Sequence, residues 1–270
     1  MSTPPAPARI HLLAAREAPF VVIIRRSPSK VFHIIRWDTR TDKFEHGSWF
    51  NGKLYPKRCD ISFDGQWMVY LAMGSNGDTW NGCCVLPFLK TYLEGANYGA
   101  WNGGGMWRDA KTLLLNAWTD MKGHVPFQTE PLGYGRDEDL GITYLKMERD
   151  GWTRMGDNWG TDRPIATPRY NVIRDDDDGW EWKPNRKTPT LECFYRGYLD
   201  HGYTFEFRVR EFPDVLTPDV EWATFDSLDN LVWSRAGWVY RASLSDLKRG
   251  RVGFEADLNG LQKHAASAEA

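Results

Sequence analysis

The residues that could do chemistry are few, and their spacing matches no common catalytic motif. A Gly-x-Ser-x-Gly elbow that would carry a serine nucleophile is absent. The histidines show neither a His-Glu-x-x-His motif nor any other paired spacing, so a zinc hydrolase lacks its ligands. The six histidines are His11, His33, His46, His124, His201 and His264.

The four cysteines give no support for a structural metal site. Cys83 and Cys84 are adjacent, while Cys59 and Cys193 stand alone, so the chain has no Cys-x-x-Cys pair. Structural zinc sites usually begin with such a pair. We therefore predict buried free thiols and no metal or other cofactor.

An acidic run, 175–178, precedes the sequence Gly-Trp-Glu-Trp at 179–182. A calcium site needs several oxygen ligands, but the run lacks the alternating ligands and the final glutamate of an EF-hand loop. It is either a solvated loop or a surface that meets a basic partner. On the second interpretation, Asp176, Asp177 and Trp180 contact the partner.

A glycine-rich stretch at 95–105 contains Tyr98 and Trp101, and Trp107 follows closely. The stretch lacks the Lys-Ser/Thr ending of a phosphate-binding loop. Its glycines permit positive φ and close backbone approach. Two interpretations stay open: an aromatic recognition loop, or a loop whose aromatic side chains fill the gap between neighbouring units. Trp159 follows a turn sequence and is a further candidate contact.

Composition excludes several classes of protein. The 270 residues carry 34 Lys+Arg against 36 Asp+Glu, a balance that argues against a dedicated nucleic-acid binder. The basic clusters at 25–26 and 248–251 are small, and we interpret them as solvated edges or a protein contact. No apolar run is long enough to span a bilayer. The N-terminus lacks the features of a secretory signal, which predicts a cytoplasmic protein.

Short strand-like runs dominate the chain. Val, Ile, Tyr, Phe and Trp are enriched in them, and several alternate with polar residues, as in 203–209. Helices are predicted only at 87–94, which overlaps a possible strand at 91–96, and at 243–248, where Ser243 could cap. The clearest predicted strands are 20–24, 31–37, 67–72, 112–118, 142–147, 191–195, 203–209, 231–234 and 238–242.

These strands group into similar blocks of about 45 residues. A hairpin with an Asp-Gly turn at 64–65 is the sharpest unit, and its shape returns near Asp109 and Asp226. Five blocks are predicted, at 9–56, 57–98, 99–158, 159–216 and 217–262. We predict one domain, 9–262, with a disordered segment at 1–8 and a flexible tail at 263–270.

The Phe-Asp-Gly-x-Trp-x-Val-Tyr hairpin and the Trp37–Asp38 dipeptide resemble those of β-propellers of the WD40-like or TolB-like kind. The resemblance implies an all-β fold: a single β-propeller of four-stranded blades, with five blades expected and six as the alternative. Such sheets have two apolar faces and bury them by stacking around an axis.

Five-bladed propellers also host glycoside hydrolases, which use two nearby carboxylates. Asp60 and Glu221 begin predicted innermost strands and could face the axis together, and tryptophan side chains could stack on sugar rings. The alternative prediction is therefore a carbohydrate-binding or glycoside-hydrolase-like propeller.

The leading prediction is a non-catalytic adaptor, not an enzyme, that recognises a protein partner through loops rich in Trp and Tyr. Rigid propeller rims present such loops, and exposed aromatic side chains supply binding energy. Membrane and nucleic-acid partners are not expected. The predicted partner-binding residues are Tyr98, Trp101, Trp107, Trp159, Asp176, Asp177 and Trp180.

Overall fold

The computed structural model describes residues 6–27, 30–117, 119–133, 139–155, 179–199 and 202–263. Trp159, Asp176 and Asp177 lie outside the described residues, as do most of the residues of the predicted terminal segments. Of the predicted N-terminal segment, Ala8 is described, and it is buried.

Five antiparallel or mixed sheets follow one another along the chain, and they form the blades of a β-propeller ring. The first blade contains β1 (Arg9–Ala14), β2 (Phe20–Arg26), β3 (Val31–Asp38) and β4 (Lys43–Asn51). The fourth contains β14 (Thr153–Arg154), β15 (Gly179–Trp182), β16 (Leu191–Leu199) and β17 (Gly202–Val209). The fifth contains β18 (Trp222–Phe225), β19 (Leu231–Arg235), β20 (Trp238–Ala242) and β21 (Phe254–Asp257).

The second and third blades depart from the four-stranded pattern. In the second, β7 pairs along one edge with both β5 and β6, and β12 joins the opposite edge of the sheet beside β9. Its strands are β5 (Lys53–Leu54), β6 (Asp60–Ile61), β7 (Trp67–Met73), β8 (Thr79–Val85), β9 (Thr91–Asn97) and β12 (Lys122–Gly123). The third contains β10 (Gly105–Asp109), β11 (Thr112–Leu115) and β13 (Gln128–Pro131), with β13 parallel to β11. The prediction of an all-β propeller with five blades is confirmed.

Apolar clusters fill the interfaces between neighbouring blades. Separate clusters join the first blade to the second, the second to the third, and the fourth to the fifth, and another joins the fifth to the first. Each sheet thereby buries the faces that it could not bury alone, which is the physical reason for the ring. Four long aromatic or aliphatic side chains mark these interfaces: Trp37, Met68, Trp107 and Trp233.

The ring closes by direct contact between the first and fifth blades. The backbone N–H of Ile10 donates to the Glu221 carboxylate, and the Ser234 hydroxyl donates to the Ile10 carbonyl. The Arg25 guanidinium, almost fully buried, donates to the carbonyls of Leu258 and Asn259. Arg25 therefore has a structural role at the closure of the ring.

The helix α1 (Asp139–Arg149) corrects the strand predicted at 142–147. Leu140, Tyr144 and Met147 lie on one face of the helix and pack into the core cluster of the fourth and fifth blades. Asp139 in the first turn and basic residues in the last turn suit the helix dipole. Ile, Thr and Tyr made this segment look strand-like, but its apolar residues are spaced for a helix.

Two other helix predictions had opposite outcomes. The helix predicted at 87–94 is wrong, because β9 begins at Thr91 and pairs with β8. The alternative strand at 91–96 is confirmed. The helix predicted at 243–248 is confirmed as α2 (Leu244–Leu247), where Ser243 and Asp246 form a capping box.

The Ala236–Gly237 turn has positive φ at both residues, as a tight hairpin turn requires.

The four cysteines are buried free thiols, as predicted. Burial raises the pKa of both Cys59 and Cys83 to about 12, so these thiols stay protonated and unreactive at neutral pH. Within the described ranges, no helix has the length and apolarity that crossing a bilayer requires.

His33, in the first blade, is buried among aromatic rings. Its ring stacks on Trp49 at a centroid distance of 4.0 Å and on His46 at 5.2 Å. Neither ring nitrogen has a hydrogen-bond partner among the described residues. Burial, with His46 and Arg25 nearby, lowers the pKa of His33 to about 4. The neutral ring is therefore the form that this core accommodates.

Candidate functional site

Of the aromatic side chains that the structure describes, the two most exposed lie on the loop that joins the second blade to the third. We call residues 98–104 the aromatic loop; it follows β9 and leads into β10. Tyr98 is 79% exposed and Trp101 is 71% exposed. Large apolar side chains are normally withdrawn from water, so two on one loop point to a contact surface. These two side chains are where the sequence predicted a recognition loop.

Buried amide side chains fix the backbone of the aromatic loop. The Asn97 Nδ2 donates to the carbonyls of Gly99 at 2.8 Å and Asn102 at 3.0 Å. The Asn81 Oδ1 accepts from the Gly104 N–H at 2.6 Å, and its Nδ2 reaches the Asn97 Oδ1 at 3.4 Å. Asn81, Asn97 and Asn102 are all buried. Buried hydrogen bonds from the Asn81 and Asn97 side chains hold the backbone of the loop in one conformation.

Thr79 extends the same network from the start of β8. Its hydroxyl donates to the Asn97 carbonyl at 2.8 Å and accepts from the Gly99 N–H at 3.1 Å. Thr79 and Asn97 are direct partners across the β8–β9 pair. The loop is therefore attached to the rigid sheet at both ends. We call the side chains of Thr79, Asn81 and Asn97 the amide network.

Glycine is needed where the loop returns to the sheet. Gly104 has a φ of +76°, and a Cβ there would collide with the carbonyl oxygen of Arg58. Gly103 has a φ of +113° and lies against Leu71 and Asn81. Only glycine accepts this backbone and this close approach. These two glycines explain part of the glycine-rich stretch.

A surface groove of about 900 Å³ borders the aromatic loop. It lies beside the turn before β8 and the outer part of β9, because β7, β8 and β9 place 74–78 and 98–104 at the same end of the sheet. The charged and aromatic side chains in its lining are Asp78, Trp80, Glu94, Tyr98, Asp120 and Lys122. Three of these are carboxylates and one is cationic.

The structure separates the other predicted contact residues from the aromatic loop. Trp107 is 1% exposed and packs edge-on against Phe127 in the cluster between the second and third blades. Trp180 is 5% exposed and packs near Tyr144 in the cluster of the fourth and fifth blades. Both side chains fill the core, so neither is available on the surface. For Trp107 this matches the interpretation that aromatic side chains fill the gap between units.

Asp60 begins β6, which pairs with β7 in the second blade, and its carboxylate is already engaged. It forms an ion pair with Arg149 at the end of α1 and accepts a hydrogen bond from the Trp107 N–H at 2.8 Å. The same Arg149 also donates to the Trp107 carbonyl at 2.8 Å. Asp60 thus ties the second blade, the third blade and α1 together.

Glu221 is also held by the backbone, on a different blade. It accepts from the Ile10 N–H, and burial raises its pKa. Its role at the ring closure accounts for that burial. The structure records no contact between Asp60 and Glu221, and each has its own separate partners.

Cationic side chains gather around α1. The Lys146 Nζ donates to the carbonyls of Lys57 and Cys59, and Arg58 pairs with Asp139 at the start of the helix. Burial lowers the pKa of Lys57 to about 8. This grouping could not be predicted from the sequence, because it depends on the helix lying beside residues far away in the chain.

Comparisons with known proteins give no family assignment. No family model and no curated protein match the chain. An uncharacterized protein of Listeria monocytogenes EGD-e is similar in structure, with a TM-score of 0.36 and 11% identity over 92% of this chain and 94% of that one. The β-propeller domain of the Trilobed protease from Pyrococcus furiosus, described as having an open velcro topology, gives a TM-score of 0.31 and 10% identity over 88% and 83%. The fold assignment therefore depends on the blades described above.

The fold and the site together define the class of protein. The chain is a five-bladed β-propeller with a direct contact between its first and last blades. One end of its second blade carries an aromatic loop that buried amides hold in place.

Proposed function

We propose that this protein is a non-catalytic adaptor that binds a protein partner through the aromatic loop. The single observation that supports this most is the exposure of Tyr98 and Trp101 on a loop that is otherwise held rigidly. Aromatic side chains contribute more binding energy than most others at protein interfaces. A rigid loop also loses little conformational entropy when it binds.

The proposal includes three further expectations from the sequence. The four free thiols are usual in a reducing compartment, which supports a cytoplasmic location. The WD40-like kinship is supported by Trp37–Asp38, which ends the third strand of the first blade. Asp176 and Asp177, which lie outside the described residues, stay candidates for additional contacts.

Affinity purification with quantitative mass spectrometry tests the proposal. Wild-type protein, a Tyr98→Ala/Trp101→Ala double variant and a Phe88→Ala variant serve as baits. Phe88 is 53% exposed and lies beyond the opposite end of β9, so it is a matched control for the loss of an exposed aromatic ring. We expect a partner retained by wild type and Phe88→Ala and lost by the double variant. A partner retained equally by all three baits would refute the role of the aromatic loop.

A further inference from the structure

The described part of the groove next to the aromatic loop has more carboxylates than cations in its lining. Glu94 and Asp120 form no ion pair with a described residue, although Lys122 lies opposite Glu94 across the β12–β9 pair. The Asp78 carboxylate accepts a hydrogen bond from the Asn76 amide. Elsewhere the described carboxylates commonly pair with arginine, as Glu130 does with Arg108 and Asp42 with Arg241. The described lining of the groove therefore carries three carboxylates against one cation, Lys122, which is a net negative charge.

The aromatic ring of Tyr98 belongs to the same groove lining as these carboxylates. Tyr98 lines the groove, and Trp101 lies three residues further along the same rigid loop. The face of an aromatic ring attracts a cation, and nearby carboxylates strengthen the attraction. Lys122 is the cationic side chain in the lining, against three carboxylates. The charge and the rings both favour a positively charged ligand.

The neighbouring segment at 119–121 and β12 explain the shape of the groove. The segment at 119–121 already packs over Gly95, and the Thr119 hydroxyl donates to the Ala96 carbonyl. β12 pairs with β9 at Glu94. The outer edge of β9 is thus paired there, and the groove lies beside it in the described part of the chain.

We propose that this groove binds a lysine- or arginine-containing segment of the protein partner, with a cationic side chain between the Tyr98 ring and the Glu94 and Asp120 carboxylates. The proposal rests on the proposed function, because it names the chemistry of the partner at the aromatic loop. A neutral sugar would use the rings but leave the carboxylates without a countercharge. Charge complementarity therefore favours a basic peptide.

Selection from a random linear peptide library displayed on phage tests the proposal with the full-length protein as bait. We expect enriched peptides to contain lysine or arginine. Their affinity should fall about tenfold in a Glu94→Gln/Asp120→Asn double variant, because two rim charges are removed. Glu255→Gln is the matched control, since Glu255 is an exposed glutamate on an outer strand of the fifth blade, and it should leave binding unchanged. Lys122→Gln should strengthen binding by removing a competing cation.

The outcomes separate this inference from the proposed function. Peptides that lose binding in Tyr98→Ala/Trp101→Ala but not in Glu94→Gln/Asp120→Asn would overturn the charge recognition and leave the aromatic loop intact as a binding site. Enriched peptides without cationic residues, or no enriched peptide, would also overturn it. A glycan array that finds a sugar whose binding needs Tyr98 would replace the peptide with a carbohydrate ligand.

Discussion

Replacing Asn97 with alanine should loosen the aromatic loop without unfolding the propeller. The change removes the two hydrogen bonds to Gly99 and Asn102, at 2.8 and 3.0 Å, and the weaker contact with Asn81. Each net hydrogen bond contributes about 1 kcal/mol. The total loss is therefore about 2–3 kcal/mol, concentrated in one loop.

Amide hydrogen exchange measures this loss at the right place. The N–H groups of Gly99 and Gly104 donate to Thr79 and Asn81 in the amide network, so they exchange only when the loop opens. A loss of about 2–3 kcal/mol corresponds to exchange that is roughly 30- to 140-fold faster. Amides in the centre of β7 should keep their rates, because the sheet stays folded.

The matched control is Asn51→Ala, which removes an exposed asparagine from the end of β4. We expect no change at Gly99 or Gly104 in that variant. Unchanged exchange at both glycines in Asn97→Ala would show that the amide network does not hold the loop. The argument from rigidity to binding would then fail.

Three further predictions concern stability. Burial lowers the pKa of His33 to about 4, so between pH of about 6.5 and 4 the unfolded chain takes up a proton that the folded chain refuses. The free energy of unfolding should therefore fall by about 3 kcal/mol as the pH drops through that range, with no further loss from His33 below it. Urea titrations at several pH values should give a steeper dependence of the unfolding free energy on pH for wild type than for His33→Phe. An equal dependence in both proteins would contradict the assignment. Arg149→Ala should destabilise the fold by about 3–5 kcal/mol, because it leaves the buried Asp60 carboxylate without its countercharge. Urea denaturation measures this loss of stability, and a loss below about 1 kcal/mol would contradict the buried ion pair. Trp107→Ala should cost about 3–5 kcal/mol, whereas Trp101→Ala should stay within about 0.5 kcal/mol, and similar costs for both would contradict their difference in burial.

The blades could be predicted from the sequence because their signals are local. The Asp64–Gly65 turn and the alternating strands around it specify a hairpin within a dozen residues. The segment at 142–147 could not be resolved in this way, since its residue types favour a strand and its spacing favours a helix. What decides the outcome is the distant core formed with Leu191 and Phe225, and a single sequence does not show it.

The candidate site was predictable only at its exposed tip. Tyr98 and Trp101 stood out because glycines surround them, and both are exposed. Trp107 showed the same signal but is buried, because β10 turns it into the interface between two blades. The amide network was missed, since Asn81 and Asn97 become neighbours only through the pairing of β8 and β9.

Site-specific photocrosslinking tests the central claim most directly. A photoreactive phenylalanine analogue replaces Tyr98, Trp101 or, as the control on the opposite rim, Phe88, and the protein is irradiated in the extract where its partner is present. We predict that positions 98 and 101 crosslink to one and the same protein and that position 88 does not. Crosslinking of that protein from position 88 with no product from 98 or 101 would contradict the account.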